Sequence, residues 1–561
     1  MTRLAAAAGL GLMLFCGVTT ATARAQEPAE ARATGAQEVG RWQASGSHGA
    51  VVAGGQEAVD AGLEVLKTGG NAADAAVATI LALSVTDARS FCFGGEVPIV
   101  IYDARRRIVT VIGGQGGAPR LATREHFLKR GGIPNKGMEP AAVPAVLDAC
   151  LTTLDRFGTW TFAEAVAPTL HLLDRHEQDW HADLATTLRR LVTAEQAAPE
   201  DRSRGLRLVA DFFYRGPLAR EIDTWSRSNG GLIRYTDLAM HVTRIEEPVA
   251  LTYRGFTVYK CGPWTQGPYL LEALQLLEGF DLKAMGHNSP DAIHATVEAM
   301  KLALADRDVY FGDPLFADVP LSELLSPRYA ELRRGLIDMK HASHVHRPGD
   351  PRGGKALLAN VQTLQGLGGP VRDTTTCVVA GGQGNLVAAT PSGWSGVVAG
   401  KTGVWLGTRL QSFNLEEGQP NCIEPGKRPR ITLTPTLVLK DSKPVMGVSV
   451  AGGDNQDQVI LQLLLNQIEF GLKPADSVVS PRVLTDHFVG SFLQKPPKLG
   501  SLQVYPELGD ETITALKARG HQITIGKPPM AAAPTVISID PQTGLIQAAG
   551  DPKARRHAGA Y

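Results

Sequence analysis

The chain has 561 residues, 43% of them hydrophobic, with Lys plus Arg and Asp plus Glu balanced at 56 each. That length can bury a large core, in one big domain or a few smaller ones. The balance leaves no global field to draw nucleic acid or an anionic membrane, so a small molecule is the expected partner. With 61 Gly and 35 Pro the composition fits a loop-rich α/β enzyme.

Residues 1–25 read as a secretory leader. Arg3 supplies the positive end, residues 4–18 the apolar core, and Ala23-Arg24-Ala25 a small-x-small cleavage site before Gln26. Cys16 follows Phe15 rather than a small residue, which argues against a lipoprotein anchor. No later run approaches the ~18–20 apolar residues of a membrane span. A periplasmic or secreted protein is expected. Its remaining cysteines, Cys92, Cys150, Cys261, Cys377 and Cys422, are too scattered for a metal site or a disulfide framework, so buried thiols are expected.

After an Ala/Glu/Gly-rich lead-in over 26–47, a short strand is predicted at 51–53, then helices at 56–67 and 72–85. Between the helices, Gly69 and Gly70 suit a helix end, Asn71 caps the next helix, and Asp74 faces its positive N-terminus. A loop over 87–96 holds Gly94-Gly95, and strands follow at 97–102 and 108–112. Residues 121–316 read as mostly helical, with apolar residues at three- and four-residue spacing over 142–157, 162–173, 184–195 and 218–229. A β-rich interval, 249–260, runs into Gly262-Pro263-Trp264-Thr265-Gln266-Gly267-Pro268, which reads as a pocket wall or a surface connection. Residues 341–372 form a linker. Its His341, His344 and His346 have no carboxylate or cysteine at ligand spacing, so a solvated loop is expected there and no metal or organic cofactor is implied.

Beyond the linker, strands predominate. A hairpin is predicted from 374–379 and 386–390, and another from 431–440 and 444–451. The latter runs into Gly452-Gly453 and a helix over 455–470. No internal repeat is present.

The chemistry centres on Val371-Arg372-Asp373-Thr374-Thr375-Thr376. A threonine hydroxyl is a weak nucleophile at neutral pH. Cutting the chain just before it frees an α-amine, with a reference pKa of ~7.7–8, to serve as its general base. The expected cut lies between Asp373 and Thr374. Strand, two glycines and helix N-terminus at Gly452-Gly453 would aim backbone N–H groups at one point, as the oxyanion of amide hydrolysis requires. Either feature alone has a plainer account, β-propensity for the threonines and a tight turn for the glycines. The other glycine clusters, 113–117 and 380–384, lack the strand–GxGxxG–helix order of a dinucleotide site and read as turns.

Several ordered segments resemble the γ-glutamyltranspeptidase family of N-terminal-nucleophile hydrolases over nearly the whole mature chain. They are Leu66-Lys67-Thr68-Gly69-Gly70-Asn71-Ala72-Ala73-Asp74-Ala75-Ala76, Leu304-Ala305-Asp306-Arg307, Gly312-Asp313-Pro314, Gly396-Val397-Val398-Ala399-Gly400, Lys427-Arg428-Pro429, Leu433-Thr434-Pro435-Thr436 and Gly452-Gly453. The family's small subunit begins Thr-Thr-His, with a Gly-Asn turn ten residues on. Counting back from Gly384 reaches Thr374, with Thr376 in the place of His. The resemblance implies a four-layer αββα sandwich formed jointly by a large subunit, 26–373, and a small subunit, 374–561. It also implies an acyl-enzyme on Thr374 resolved by water or an amine, Ser392 as the hydroxyl beside the nucleophile, and Gly452 and Gly453 as the oxyanion pair.

The recognition residues depart from the family. Its carboxylate-binding arginine falls on Gln115, its amine-binding Asp on Ser412, its Asn on Trp394 and its paired serines on Ile431 and Thr432. A neutral amide cannot replace a guanidinium fork, and losing a buried partner costs roughly 1–3 kcal/mol. Gln115, Arg409, Ser412 and Thr432 are therefore the expected lining of a changed substrate pocket. Two alternatives stand beside this one: true glutathione chemistry with Arg409 as the substitute arginine, and an uncut binding module.

Overall fold

The computed structural model describes residues 41–358, 374–394, 396–530 and 532–561. The leader, Asp373 and most of the linker's second half therefore lie outside the described residues.

Two seven-stranded sheets stack face to face. In spatial order the first is His557–Ala560, Gly49–Ala53, Cys377–Gly381, Leu386–Ala389, Ile99–Asp103, Ile108–Gly113 and Arg244–Glu246. The second is Gln43–Gly46, Ile546–Gly550, Ala533–Ile539, Lys443–Ala451, Thr436–Lys440, Phe256–Lys260 and Val249–Tyr253. A three-stranded sheet, Val483–Leu484, Ser501–Val504 and Gln522–Ile525, stands apart.

Alternation along the strands sorts side chains into layers. Val52, Val100, Val378, Ala380, Leu386 and Ala388 face inward onto Leu437, Leu439, Ile537 and Ala548 of the other sheet. Their neighbours Val51, Ala53, Cys377, Val379, Val387 and Ala389 face outward and pack with the helices Gln56–Lys67 and Ala72–Thr86. On the far side, Val438, Met446, Val448 and Val450 pack against Pro268–Leu277, Pro290–Tyr310 and Gln456–Ile468. Both faces of each sheet are covered, which makes these strands continuous apolar runs. The layering is the expected αββα sandwich.

Asn71 caps its helix in a full capping box with Asp74. Elsewhere the boundaries move for local reasons. The strand expected from 97 begins at Ile99, past Pro98, and the helix expected from 142 begins at Val146, past Pro144. The hairpin strand expected from 431 starts at Thr436, after Pro435. The loop 262–268 is a buried connection rather than a surface one: Trp264, Thr265 and Gln266 are fully buried, and backbone bonds tie them to Ile431. The linker histidines take separate partners, His341 on Asp338, His344 on the Gly520 carbonyl and His346 on Asp308. All five described cysteines are buried, as expected.

Candidate active site

Thr374 lies beyond the strand Cys377–Gly381 but keeps its register, in which Cys377 stands opposite Ala389. It makes an isolated bridge to Ser392, while the Thr375 N–H donates to the Pro391 carbonyl (2.9 Å) and the Gly54 N–H to the Thr376 carbonyl (3.2 Å). Pro391 has no N–H to add to the pairing, so the ladder is interrupted there and resumes at Ser392, which holds the threonines at the sheet's end. The Thr374 and Ser392 hydroxyl oxygens are 3.2 Å apart.

Behind Ser392 stands a buried ion pair. Arg409 Nη2 donates to Ser392 Oγ at 2.7 Å and Arg409 Nε donates to Glu96 Oε1 at 2.6 Å. Burial pushes the Glu96 carboxyl up, and the Arg409 guanidinium offsets only part of that rise. The Glu96 backbone exchanges hydrogen bonds with Ser392, at 3.1 and 2.9 Å. Sequence reasoning missed Glu96. An acid directly after Gly94-Gly95 was the available signal, but nothing in the sequence joins it to Arg409.

The glycine pair reaches the same place from the second sheet. Ser449, on Lys443–Ala451, donates to the Ala389 carbonyl at 2.8 Å, and the Thr390 and Ser449 hydroxyl oxygens are 2.9 Å apart. The two sheets are thus stitched just before Ser392 and just before Gly452. Gly452 (φ 143°) and Gly453 (φ 59°) both occupy positive-φ backbone that favours glycine. Gly453 opens a 3-10 turn, Gly453–Asn455, ahead of the helix Gln456–Ile468. A Cβ on Gly453 would stand 3.2 Å from the Phe492 ring, and that ring also covers the Arg409 guanidinium. Phe492, also missed in the sequence, connects the turn to the Ser392 support. Asp454 accepts from Arg307 at 2.8 Å and from the Ser491 N–H at 3.0 Å, which fixes the turn.

The predicted pocket residues take the following places. Gln115 is buried just past the strand Ile108–Gly113, its nitrogen donating to the Gly116 carbonyl at 2.9 Å. Arg428 beside it is committed to Asp313 and Glu246. Ser412 closes the buried 3-10 turn Arg409–Ser412. Thr432 is fully buried, and with the Gln456 amide turned to satisfy its neighbours, that nitrogen donates to the Thr432 carbonyl at 2.9 Å. Gln115 Oε1, Gln411 Oε1, Ser412 Oγ and Thr432 Oγ1 are buried without a hydrogen-bond partner among the described residues. Buried polar atoms are normally paired, so each of these orphans marks a place where a ligand or water can complete the network.

Paired hydroxyls on Thr374 and Ser392, a buried cation behind them and a positive-φ glycine turn can run nucleophilic acyl transfer. Comparison with known proteins agrees. The family profile described as Gamma-glutamyltranspeptidase matches residues 58–176 and 175–561. The acylase ACY 1 proenzyme of Pseudomonas sp. (strain SE83) is 30% identical over 548 residues, spanning 90% of this chain and 92% of the relative. The glutathione hydrolase proenzyme of Bacillus subtilis (strain 168) is 29% identical, over 88% of each chain. Among solved structures, LmbA2991HD superposes with a TM-score of 0.84 at 33% identity, covering 93% of this chain and 99% of its own. The cephalosporin acylase from Bacillus halodurans gives 0.77 at 27% identity, covering 95% and 99%.

Proposed function

This chain belongs to the γ-glutamyltranspeptidase family and is an N-terminal-nucleophile hydrolase or transferase; from that premise we propose that it is an exported precursor that cuts itself before Thr374 and then cleaves amides other than γ-glutamyl ones. Residues 1–25 would be removed on export, leaving 26–373 and 374–561 as large and small subunits.

In the proposed reaction the Thr374 hydroxyl oxygen attacks the substrate carbonyl and its proton passes to the freed α-amine of the same residue. Backbone N–H groups at Gly452 and Gly453 receive the oxyanion. The C–N bond then breaks, the amine leaves with the proton, and the acyl group stays on Thr374 Oγ1. Water or a second amine attacks that ester and restores the hydroxyl. Asp373 and the linker take part only in the initial cut.

The observation that carries this reading is the 3.2 Å approach of the Thr374 and Ser392 hydroxyls with Arg409 and Glu96 behind them. The same contacts argue against glutathione as substrate. Gln115 has no charge for an α-carboxylate, and Arg409, the arginine available to replace it, is already spent on Glu96 and Ser392. Ser412 and Thr432 offer neutral hydroxyls in place of an acid. An acyl group recognised by neutral hydrogen bonds fits better.

Intact-mass analysis of the secreted protein is expected to show two fragments with Thr374 as a new N-terminus. The processed enzyme should turn over simple acyl anilides in preference to the γ-glutamyl anilide. Thr374→Ala should abolish both the cut and turnover; a single intact, fully active chain would sink the proposal.

A further inference from the structure

Three of the chain's seven tryptophans meet in one cleft of about 640 Å³. Trp394 and Trp405 stack with centroids 6.0 Å apart and an interplanar angle of 27°, and Trp180 stands edge-on to Trp405 at 5.9 Å. All three are only half-buried. Large aromatic faces left open inside a concavity are a binding signal in a way that scattered surface apolars are not.

Two connections bring this cleft to the nucleophile. Trp394 is two residues beyond Ser392, across Gly393, whose φ of 101° turns the chain. Asp87, on the opposite wall, is separated from the threonines by one glycine: a Cβ on Gly54 would lie 2.0 Å from Thr375 Oγ1 and 2.9 Å from Asp87 Oδ2. Asp87 Oδ2 is buried without a hydrogen-bond partner among the described residues; Arg556, 3.6 Å away, is its ion-pair neighbour.

The sheet gives the two directions. Gly49–Ala53, leading to Gly54 beside Asp87, flanks Cys377–Gly381 on one side; Leu386–Ala389, leading to Ser392, flanks it on the other, with Ile99–Asp103 and Ile108–Gly113, leading to Gln115, beyond; Asp87 and the tryptophans share one cleft. The substituents of an amide leave its carbonyl group in opposite directions. If the acyl half runs toward Gln115, the amine half runs toward Asp87 and the tryptophans.

We propose that this tryptophan cleft is the subsite for the amine half of the substrate, and that it selects amines carrying a planar aromatic ring. The inference rests on the acyl-transfer reading above. Indole faces stack on a flat ring and attract the ammonium that the expelled amine becomes in water, while the Asp87 oxygen accepts its N–H.

The test pairs phenethylamides with cyclohexylethylamides of one common acyl group, so that only the ring's planarity differs. The processed enzyme should favour the phenethylamide by about tenfold in kcat/KM, mainly through KM. That ratio should fall to near one in Trp394→Ala and Trp405→Ala, and survive in part in Trp394→Phe. Equal rates on both amides in the wild type, or an unchanged ratio in both alanine variants, would overturn the inference. A second arm needs no turnover: phenethylamine titrated into the wild-type protein should quench tryptophan fluorescence saturably, and cyclohexylethylamine should not. A protein cut at Thr374 and active on acyl amides, yet blind to the ring, refutes the cleft alone. An uncut or inactive protein refutes the acyl-transfer reading, and the titration then decides for the cleft by itself, with failure to quench counting against it.

Discussion

Ser392 Oγ accepts from a guanidinium while sharing a proton with Thr374 Oγ1. A cationic donor withdraws electron density from the serine oxygen, making its own O–H the better donor toward Thr374. In the proposed reaction this would stabilise negative charge growing on the threonine oxygen and give Arg409 a positioning role through Ser392. Lysine at 409 would keep the charge but lose the fork that reaches Glu96 and Ser392 together. Arg409→Lys is therefore expected to lower kcat by about tenfold or more with little change in KM, matching the loss of one charged hydrogen bond. An unchanged kcat would show that Ser392 needs no such support. Glu96→Gln tests the other end: it removes a buried carboxylate from beside the guanidinium, so the variant should melt below the wild type.

Gly54 ends the strand Gly49–Ala53, and its lack of a side chain lets the backbone pass between Thr375 and Asp87. Thr375 is fully buried and β-branched, so it has little freedom to step aside for a methyl group. Gly54→Ala should cost about 1–3 kcal/mol by overpacking and slow the cut at Thr374, followed by intact mass over time. Gly69→Ala is the control. Its φ of 104° strains any side chain but nothing stands within 4 Å, so it should lose stability of about 1 kcal/mol while processing stays at the wild-type rate. Equal processing defects in both would show that stability alone sets the rate. The same elements show what a sequence displays and what it hides. Helices such as Gln56–Lys67 and Phe162–Leu173 stand where their apolar spacing puts them, because the pattern is local. The helix Asp179–Glu195 begins five residues before its periodic run, where packing rather than pattern decides. Thr374 and the glycine pair stand out in the sequence as short contiguous motifs, whereas Ser392 emerges only by counting along the family resemblance. Glu96 and Arg409 were not legible as a pair, since 313 residues separate them and only the closed sheets bring them together.

Each sheet contains strands from both sides of position 374, so a cut before Thr374 would leave two interlocked halves rather than two domains. A buried histidine pair crosses between those halves. His294, on Pro290–Tyr310, donates from Nε2 to the Asp338 carbonyl at 2.8 Å, which leaves Nδ1 to accept from His521 Nε2 at 2.9 Å. Nearby, His487 accepts the Gly500 N–H at Nδ1 and donates to the Val345 carbonyl at Nε2. All these bonds need neutral rings, and added protons would set N–H against N–H. Burial first, then Lys301 and other nearby cations, hold His521 and His487 down to about 3, against an unfolded value near ~6.5. Between those values the unfolded chain binds more protons, so the stability these histidines contribute is complete above pH ~6.5 and is lost as pH falls through that window, at about 1.4 kcal/mol per unit for each. Glu96, Glu272 and Asp457, pushed up by burial, act with the opposite sign. The histidine share is therefore read by difference. From pH 6.5 to 4.5, the melting temperature of His521→Gln, which keeps a donor toward His294 but cannot titrate, should fall less steeply than that of wild type. Parallel curves would show that His521 carries its proton in the folded state.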